Sequence, residues 1–339
     1  MLTAVKRKLQ STIKIYLPNV PSGLAMLKRH HLLIANKFHQ DTIEELDQQY
    51  QTHHLWKLTN IEKKLLIKRL EGQCRLVATA SWDTDPLIYT LKSLELIACF
   101  GVGIDGIDLV TSRNRGIRVT NTPDVLTDAV ADLAMGLLIS TSRNLVNADK
   151  FVKMGSWQKS SFPFGSGLTG KTLGIAGLGR IGKAIARRAE AFKLNIEYHN
   201  RSKVNLPYTY HPSLEALATA SDFFLCMLPG GDLTKGLISK NIFKKIGPLG
   251  TFINVGRGSC VDEEALAEAL ANGDLGSAGL DVYEREPEVN QKLTTLSNVV
   301  LLPHIGSATV ETRKAMGQLV IENLNAAICK TKLITEVKN

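Results

Sequence analysis

Residues 172–187, Thr-Leu-Gly-Ile-Ala-Gly-Leu-Gly-Arg-Ile-Gly-Lys-Ala-Ile-Ala-Arg, restrict the possible folds more than any other stretch of the chain. An apolar run suited to a buried strand leads into three spaced glycines and then into helix formers. This is G-x-G-x-x-G with both flanks it requires. Gly177 permits the tight strand-to-helix turn, Gly179 lets backbone N–H groups approach a pyrophosphate, and Gly182 lets the helix lie close on the sheet. The helix N-terminus adds unpaired N–H groups and the positive end of its dipole. An ordinary glycine turn in an α/β protein is the alternative, and the flanks favour a dinucleotide.

At 339 residues the chain has room for two lobes, and a hydrophobic content of 44% is enough for full cores. No apolar run reaches the roughly 18–20 residues of a membrane span, so no membrane partner is expected. The five cysteines are scattered, with no C-x-x-C pair, which argues against a disulfide framework and a zinc site and fits a cytoplasmic location. The net charge is +9, and no acidic residue precedes Asp41, while Lys6, Arg7, Lys8, Lys14, Lys28, Arg29 and Lys37 all do. A transit peptide and a nucleic-acid patch are possible readings of that basic start. A solvated basic edge is preferred, and no nucleic-acid partner is expected.

Along the chain, short apolar runs alternate with helical patterns. Strands are expected at 13–17, 74–80, 94–100 and 116–121, and helices at 42–50 and 61–70, the latter capped by Thr59 or Asn60. A long helical segment is expected from Val125 to Met154, rich in small residues near Asp128–Met135. A glycine-rich linker, Gly165–Gly170, precedes the fingerprint. Further strands are expected at 173–176, 196–199, 223–228, 251–255, 279–282 and 299–302, with an amphipathic helix at 309–329. This rhythm predicts an α/β protein of two lobes with doubly wound parallel sheets. A Rossmann cofactor domain (121–305) would be inserted in a flavodoxin-like substrate domain (1–120 and 306–339).

The second strand of a dinucleotide fold usually ends in Asp or Glu, about 20 residues beyond the first glycine, to bind the ribose 2′-OH. Here Glu197 sits in mid-strand, and the strand's carboxyl end is Asn200, followed by Arg201, Ser202 and Lys203. A carboxylate there would repel a 2′-phosphate, whereas these four residues would attract one. NADPH is therefore preferred over NADH, which remains possible. The alternative is that Arg201 and Lys203 are solvated and Glu197 or water serves the ribose.

Three stretches after strands carry chemistry: Asn254-Val-Gly-Arg257-Gly-Ser, Gly279-Leu-Asp281-Val-Tyr-Glu-Arg-Glu286-Pro287, and Leu301-Leu-Pro-His304-Ile-Gly306. Each would lie at the carboxyl end of a parallel strand, where open α/β sheets bind ligands. Singly, each has an ordinary explanation as a turn arginine, a solvated acidic loop or a loop histidine. Together they would bring a cation, a carboxylate and an imidazole to one crevice. Hydride addition to a ketone leaves negative charge on oxygen, which a positioned proton donor and a cation both stabilise. A carboxylate beside histidine favours the protonated imidazole, and arginine's planar fork suits a 2-oxo acid.

With Asn121–Asp132, the fingerprint, Asn254–Ser259, Gly279–Pro287 and Pro303–Ala308, the chain resembles the D-isomer-specific 2-hydroxyacid dehydrogenases from about Ile13 to Thr335. His53–Trp56, Phe100–Asp105 and Tyr198–Ser202 are most similar to the NADPH-dependent glyoxylate/hydroxypyruvate and hydroxyphenylpyruvate reductases of that family. The resemblance implies that Arg257 holds the substrate's carboxylate and keto oxygen, that His304 is the general acid, and that Glu286 pairs with it. It implies carboxylate binding by the backbone at Val102 and Gly103, and an Asp281 that orients the nicotinamide carboxamide. Thr127 and the loop from Pro229 to Thr234 would line the cofactor, with Arg180, Ile181, Val255, Gly256 and Gly306 beside it. It also implies closure of a cleft on substrate and a homodimer, for which helix 125–154 offers a face. The loop Ala78–Asp85 departs from the family by carrying Trp82 and Asp83, which bears on which 2-oxo acid is taken. A non-catalytic dinucleotide-sensing, corepressor-like scaffold is the reading from another class. Other 2-oxo acids, hydroxyphenylpyruvate or 2-ketogluconate, are alternatives within the first.

Overall fold

The apolar runs and the helix formers between them fold as two parallel-stranded sheets in a computed structural model, which describes residues 27–80, 82 and 84–338. The expected strand at 13–17 and most of the basic N-terminal stretch lie outside the described residues. Two units result. One holds the described residues up to Cys99, Leu109–Thr120 and the stretch from Val320. The other holds Phe100–Asp108 and Asn121–Leu319.

In the first unit, β1 (His31–Ile34), β2 (Gln51–His54), β3 (Leu76–Ala80), β4 (Leu96–Phe100) and β5 (Arg118–Thr120) lie in the order β2-β1-β3-β4-β5. This is the flavodoxin-like order. Leu32, Leu33, Ile34, Val77, Ala78 and Ile97 are fully buried, so the central strands read as continuous apolar runs rather than alternating ones. The helix Asn60–Leu70 starts where expected: Thr59 accepts the Glu62 N–H, and the Glu62 side chain accepts the Thr59 N–H. That reciprocal cap contributes about 1 kcal/mol.

The second unit holds β6 (Thr172–Ala176), β7 (Asn195–His199), β8 (Thr209–Tyr210), β9 (Phe223–Cys226), β10 (Thr251–Asn254), β11 (Ser277–Leu280) and β12 (Val299–Leu301). Their order is β12-β11-β10-β9-β6-β7-β8, with every neighbouring pair parallel. The chain winds outward from β6 to β8, returns, and winds the other way from β9. The sheet therefore reverses between β6 and β9, and ligands bind in the crevice such a reversal opens. One face is held by Phe224, Phe243 and Phe252, all fully buried, with Phe243 edge-on to Phe252 at 5.4 Å. Each such ring contributes about 1.5–3 kcal/mol through burial alone.

The segment expected as one helix from Val125 to Met154 is two, Thr127–Ser142 and Leu145–Lys153. The break is at Asn144, whose φ of 52° is left-handed, a conformation asparagine tolerates better than most residues. The linker packs on the break: Ser166 N–H donates to the Ser142 carbonyl, and a Cβ on Gly165 would lie 2.8 Å from that same oxygen. Only glycine allows this approach, so periodicity alone could not reveal the interruption.

Candidate active site

Gly177 ends β6 with φ +102°, and a Cβ there would sit 2.6 Å from the Met227 carbonyl oxygen. A Cβ on Gly182 would sit 2.3 Å from the Gly177 carbonyl oxygen, because the helix Arg180–Ala191 rises directly from the turn. Gly179 differs: nothing lies within 4 Å of its Cβ position. No side chain caps this helix at Gly179. Its first N–H groups and open glycine face suit an anionic diphosphate, so the residues present fit a dinucleotide. Arg180, beside the turn, pairs with Asp124 at 3.1 Å, and Arg188 ties the same helix to Asp128 and Asp132 at 2.9 and 2.6 Å.

At the end of β7, Asn200 Oδ1 accepts the Leu178 N–H at 2.7 Å. Asn200 thus braces the glycine turn, a task its position in the sequence did not suggest. Arg201, Ser202 and Lys203 come next as exposed residues. The one carboxylate on this strand, Glu197, is paired with His211.

Arg257 follows β10. Asn254, fully buried, accepts the Gly256 N–H at 3.1 Å and donates to the Arg257 carbonyl at 3.0 Å, which fixes the turn. The guanidinium donates through Nε to Asp105 Oδ2 at 2.7 Å and through Nη1 to the Gly256 carbonyl at 2.8 Å. It lies against Gly103: a Cβ there would be 1.6 Å from Nη2. Gly103, expected with Val102 on the substrate side, and the arginine are therefore neighbours, and the Val102 carbonyl accepts from Asn121 Nδ2 at 2.8 Å.

His304 follows β12 with φ +53°, and its Nδ1 lies 2.5 Å from Glu286 Oε2. The other Glu286 oxygen accepts the Tyr283 N–H at 3.0 Å. Burial alone would raise the Glu286 carboxyl. The His304 hydrogen bond and charge, the Tyr283 N–H and the Arg257 charge outweigh it and hold the group below its ordinary value. Arg257, Glu286 and His304 thus form one electrostatic group. Glu263, itself largely buried, accepts the Glu284 N–H at 2.5 Å and steadies the acidic loop from below.

Asp281 is 1% exposed, and its two oxygens accept the Ile305 and Gly306 N–H groups, each at 2.8 Å. Burial nevertheless lifts its carboxyl above the ordinary value. In this geometry Asp281 pins the turn that presents His304 in its left-handed conformation. That is a positioning task distinct from the carboxamide contact expected of it. Around the crevice, Thr234 Oγ1 donates to the Pro229 carbonyl at 2.7 Å and closes its loop. Val255 and Gly256 are buried beneath Arg257, and Thr127 and Ile181 are half-buried at two helix starts. In the first unit, the stretch from Ala78 to Ala80 belongs to β3, and Trp82 is 48% exposed; Ser81 and Asp83 lie outside the described residues. Sequence reasoning gave no role to Asp105 or Asn254, quoted only as ends of Phe100–Asp105 and Asn254–Ser259, and did not single out Glu263, since the partners of such polar residues are set by tertiary contact.

A sheet that reverses beside an open glycine turn is the architecture of nucleotide-linked dehydrogenases. Residues 135–306 match the D-isomer specific 2-hydroxyacid dehydrogenase, NAD binding domain. The chain is 45% identical over 296 residues to a hydroxyphenylpyruvate reductase of Plectranthus scutellarioides, covering 87% of this chain and 94% of that protein. It is 44% identical over 296 residues to a glyoxylate/hydroxypyruvate reductase A of Arabidopsis thaliana, covering 86% and 94%. Among solved structures, an NADPH-dependent glyoxylate/hydroxypyruvate reductase of Sinorhizobium meliloti, in complex with NADP and malonate, superposes with a TM-score of 0.84 at 41% identity, covering 91% and 97%. The chain belongs to the D-isomer specific 2-hydroxyacid dehydrogenase family. Among the described residues no helix is long and apolar enough to cross a membrane.

Proposed function

We propose that this protein reduces a small 2-oxo acid, glyoxylate or hydroxypyruvate, to the D-2-hydroxy acid, with NADPH as the preferred reductant. The observation that carries the reading is the His304–Glu286 pair at 2.5 Å with the Arg257 charge acting on the same carboxylate. When bound, a reduced nicotinamide supplies the hydride. Arg257 and the Val102–Gly103 backbone bind the substrate's carboxylate and polarise its keto oxygen. His304 has Nδ1 committed to Glu286, so Nε2 is the atom that delivers the proton to that oxygen. Glu286 holds the ring's orientation and stabilises it while charged. Asp281 keeps the turn rigid by two backbone hydrogen bonds, which lowers the cost of reorganisation at the reacting centre.

The segment just beyond β7 favours NADPH. Asn200 stands where an NAD site would carry a carboxylate, two exposed cations and a serine follow it, and Glu197 is engaged by His211. A steady-state panel tests the whole reading: glyoxylate, hydroxypyruvate, hydroxyphenylpyruvate and 2-ketogluconate, each with NADPH and NADH. We expect the highest kcat/KM with one of the first two acids and NADPH, by about tenfold or more over NADH. No turnover with any of the four overturns the reductase assignment and returns the sensing scaffold, and a tenfold preference for NADH overturns the cofactor assignment.

We further propose a homodimer. The helix Leu145–Lys153 has no buried residue, and Leu145, Val152, Met154, Trp157 and Phe164 are 47%, 55%, 71%, 68% and 104% exposed. An apolar surface of this kind is expected to be covered by a second copy. Sedimentation should give twice the chain mass, and Val152→Glu with Trp157→Glu should return it to the monomer value. A monomeric wild type removes the proposal.

A further inference from the structure

Arg257 is the cation of the proposed substrate site, yet it already has an anionic partner. Asp105 accepts from its Nε at 2.7 Å, and the two side chains are 28% and 33% exposed. Asp105 is seated: a Cβ on Gly230 would lie 2.8 Å from its Oδ1, and one on Gly103 would lie 2.9 Å from its Oδ2. With Nη1 donating to the Gly256 carbonyl, two of the five N–H donors of a guanidinium are spent. The Nε–H shares an edge of the guanidinium with Nη2, so Asp105 holds the arginine on the side that faces Gly103, and Nη2 is the nitrogen held against Gly103.

We propose that Asp105 is the positioning residue for substrate recognition: by gripping Nε it fixes the guanidinium plane so that Nη2 stays beside the Val102–Gly103 backbone, ready for a carboxylate. The proposal rests on the reading of this site as one for 2-oxo acids. Two physical effects oppose each other here. The negative charge of Asp105 repels an incoming anion, while its hydrogen bond removes the rotational freedom of a long side chain. At this exposure solvent weakens the repulsion, whereas a plane misplaced by about 1 Å costs up to about a hundredfold in rate. Orientation therefore wins.

Two variants separate these effects. Asp105→Asn keeps an oxygen acceptor for Nε and loses the charge. Asp105→Ala loses both. Malonate, a dicarboxylate whose binding needs no turnover, serves as the probe, titrated calorimetrically into protein saturated with NADP+. We expect Asp105→Asn to bind malonate at least as tightly as wild type, and Asp105→Ala to bind it at least about tenfold more weakly than Asp105→Asn. KM for glyoxylate should follow the same order, while NADPH affinity stays within about twofold in both, which also verifies folding. Equal malonate affinity in the two variants, or no malonate binding by the wild type, overturns the proposal. Wild-type protein that reduces no 2-oxo acid but keeps this order for malonate overturns the reductase reading and leaves the role of Asp105 standing.

Discussion

Replacing His304 by glutamine is expected to slow 2-oxo acid reduction by about 10²- to 10⁴-fold while leaving NADPH affinity within about twofold. The glutamine fills similar space and can still donate a hydrogen bond, but it cannot deliver a proton to the alkoxide that hydride addition creates. The cofactor's glycine turn is built by β6 and the helix Arg180–Ala191, whereas His304 sits beyond β12, at the far edge of the same sheet. Single-turnover rates with fluorescence titration of NADPH separate the two quantities, and near-normal turnover would remove the imidazole from the mechanism. Glu286→Gln should cost less, about ten- to a hundredfold, because the ring keeps its proton source and loses only its anionic brace. The same variant carries a stability signature. The folded-state pKa of Glu286 lies below its ordinary value of 4.5. Its contribution to stability is therefore complete above pH 4.5 and is lost as pH falls through the lowered folded value. Wild-type Tm should drop across that window, and Glu286→Gln should show a shallower drop.

How much of this was legible beforehand depended on whether a residue's task is local. All but one of the second unit's strands were expected within a few residues of their observed bounds, because each is a short apolar run closed by a turn signal. The glycine turn was readable because its three glycines serve a single local geometry. By contrast, β2 (Gln51–His54) is polar, lies at a sheet edge and has no apolar pattern to reveal it. The break at Asn144 depends on a linker some twenty residues further on packing against Ser142, which no periodicity records. Arg257, Glu286 and His304 stood out because cation, carboxylate and imidazole each followed a strand. Asp105 was quoted only as the end of Phe100–Asp105 and drew no role of its own, since its partner lies 152 residues away in the chain. Asp281 was visible as an acidic residue after a strand, yet its two backbone acceptor bonds could be known only from the turn it grips. Roles that depend on which side chain a residue reaches are set by tertiary contact, and the sequence carries them only as residue type.

The glycine fingerprint separates folding from binding within one motif, and two alanine substitutions should expose the division. At Gly182 a Cβ would meet the Gly177 carbonyl oxygen at 2.3 Å and Ile175 Cγ2 at 3.5 Å. The first contact is with backbone, so either the turn or the helix must move. Overpacking of this kind costs about 1–3 kcal/mol, and Gly182→Ala should lower the Tm of the cofactor-free protein by several degrees, roughly 2–4 °C per kcal/mol. At Gly179 the same methyl meets nothing within 4 Å, and φ is −81°, so the cofactor-free protein should melt within about 1 °C of wild type. Its Cβ would instead occupy the face on which a diphosphate must approach the helix N-terminus. NADPH affinity should therefore fall by about tenfold or more in Gly179→Ala, an effect confined to the bound state. Thermal melts with and without saturating NADPH read both halves: the Gly182 variant shifts in each, whereas the Gly179 variant loses only the ligand-induced rise in Tm. If Gly179→Ala keeps that rise in full, the open face beside the helix is not where the diphosphate sits.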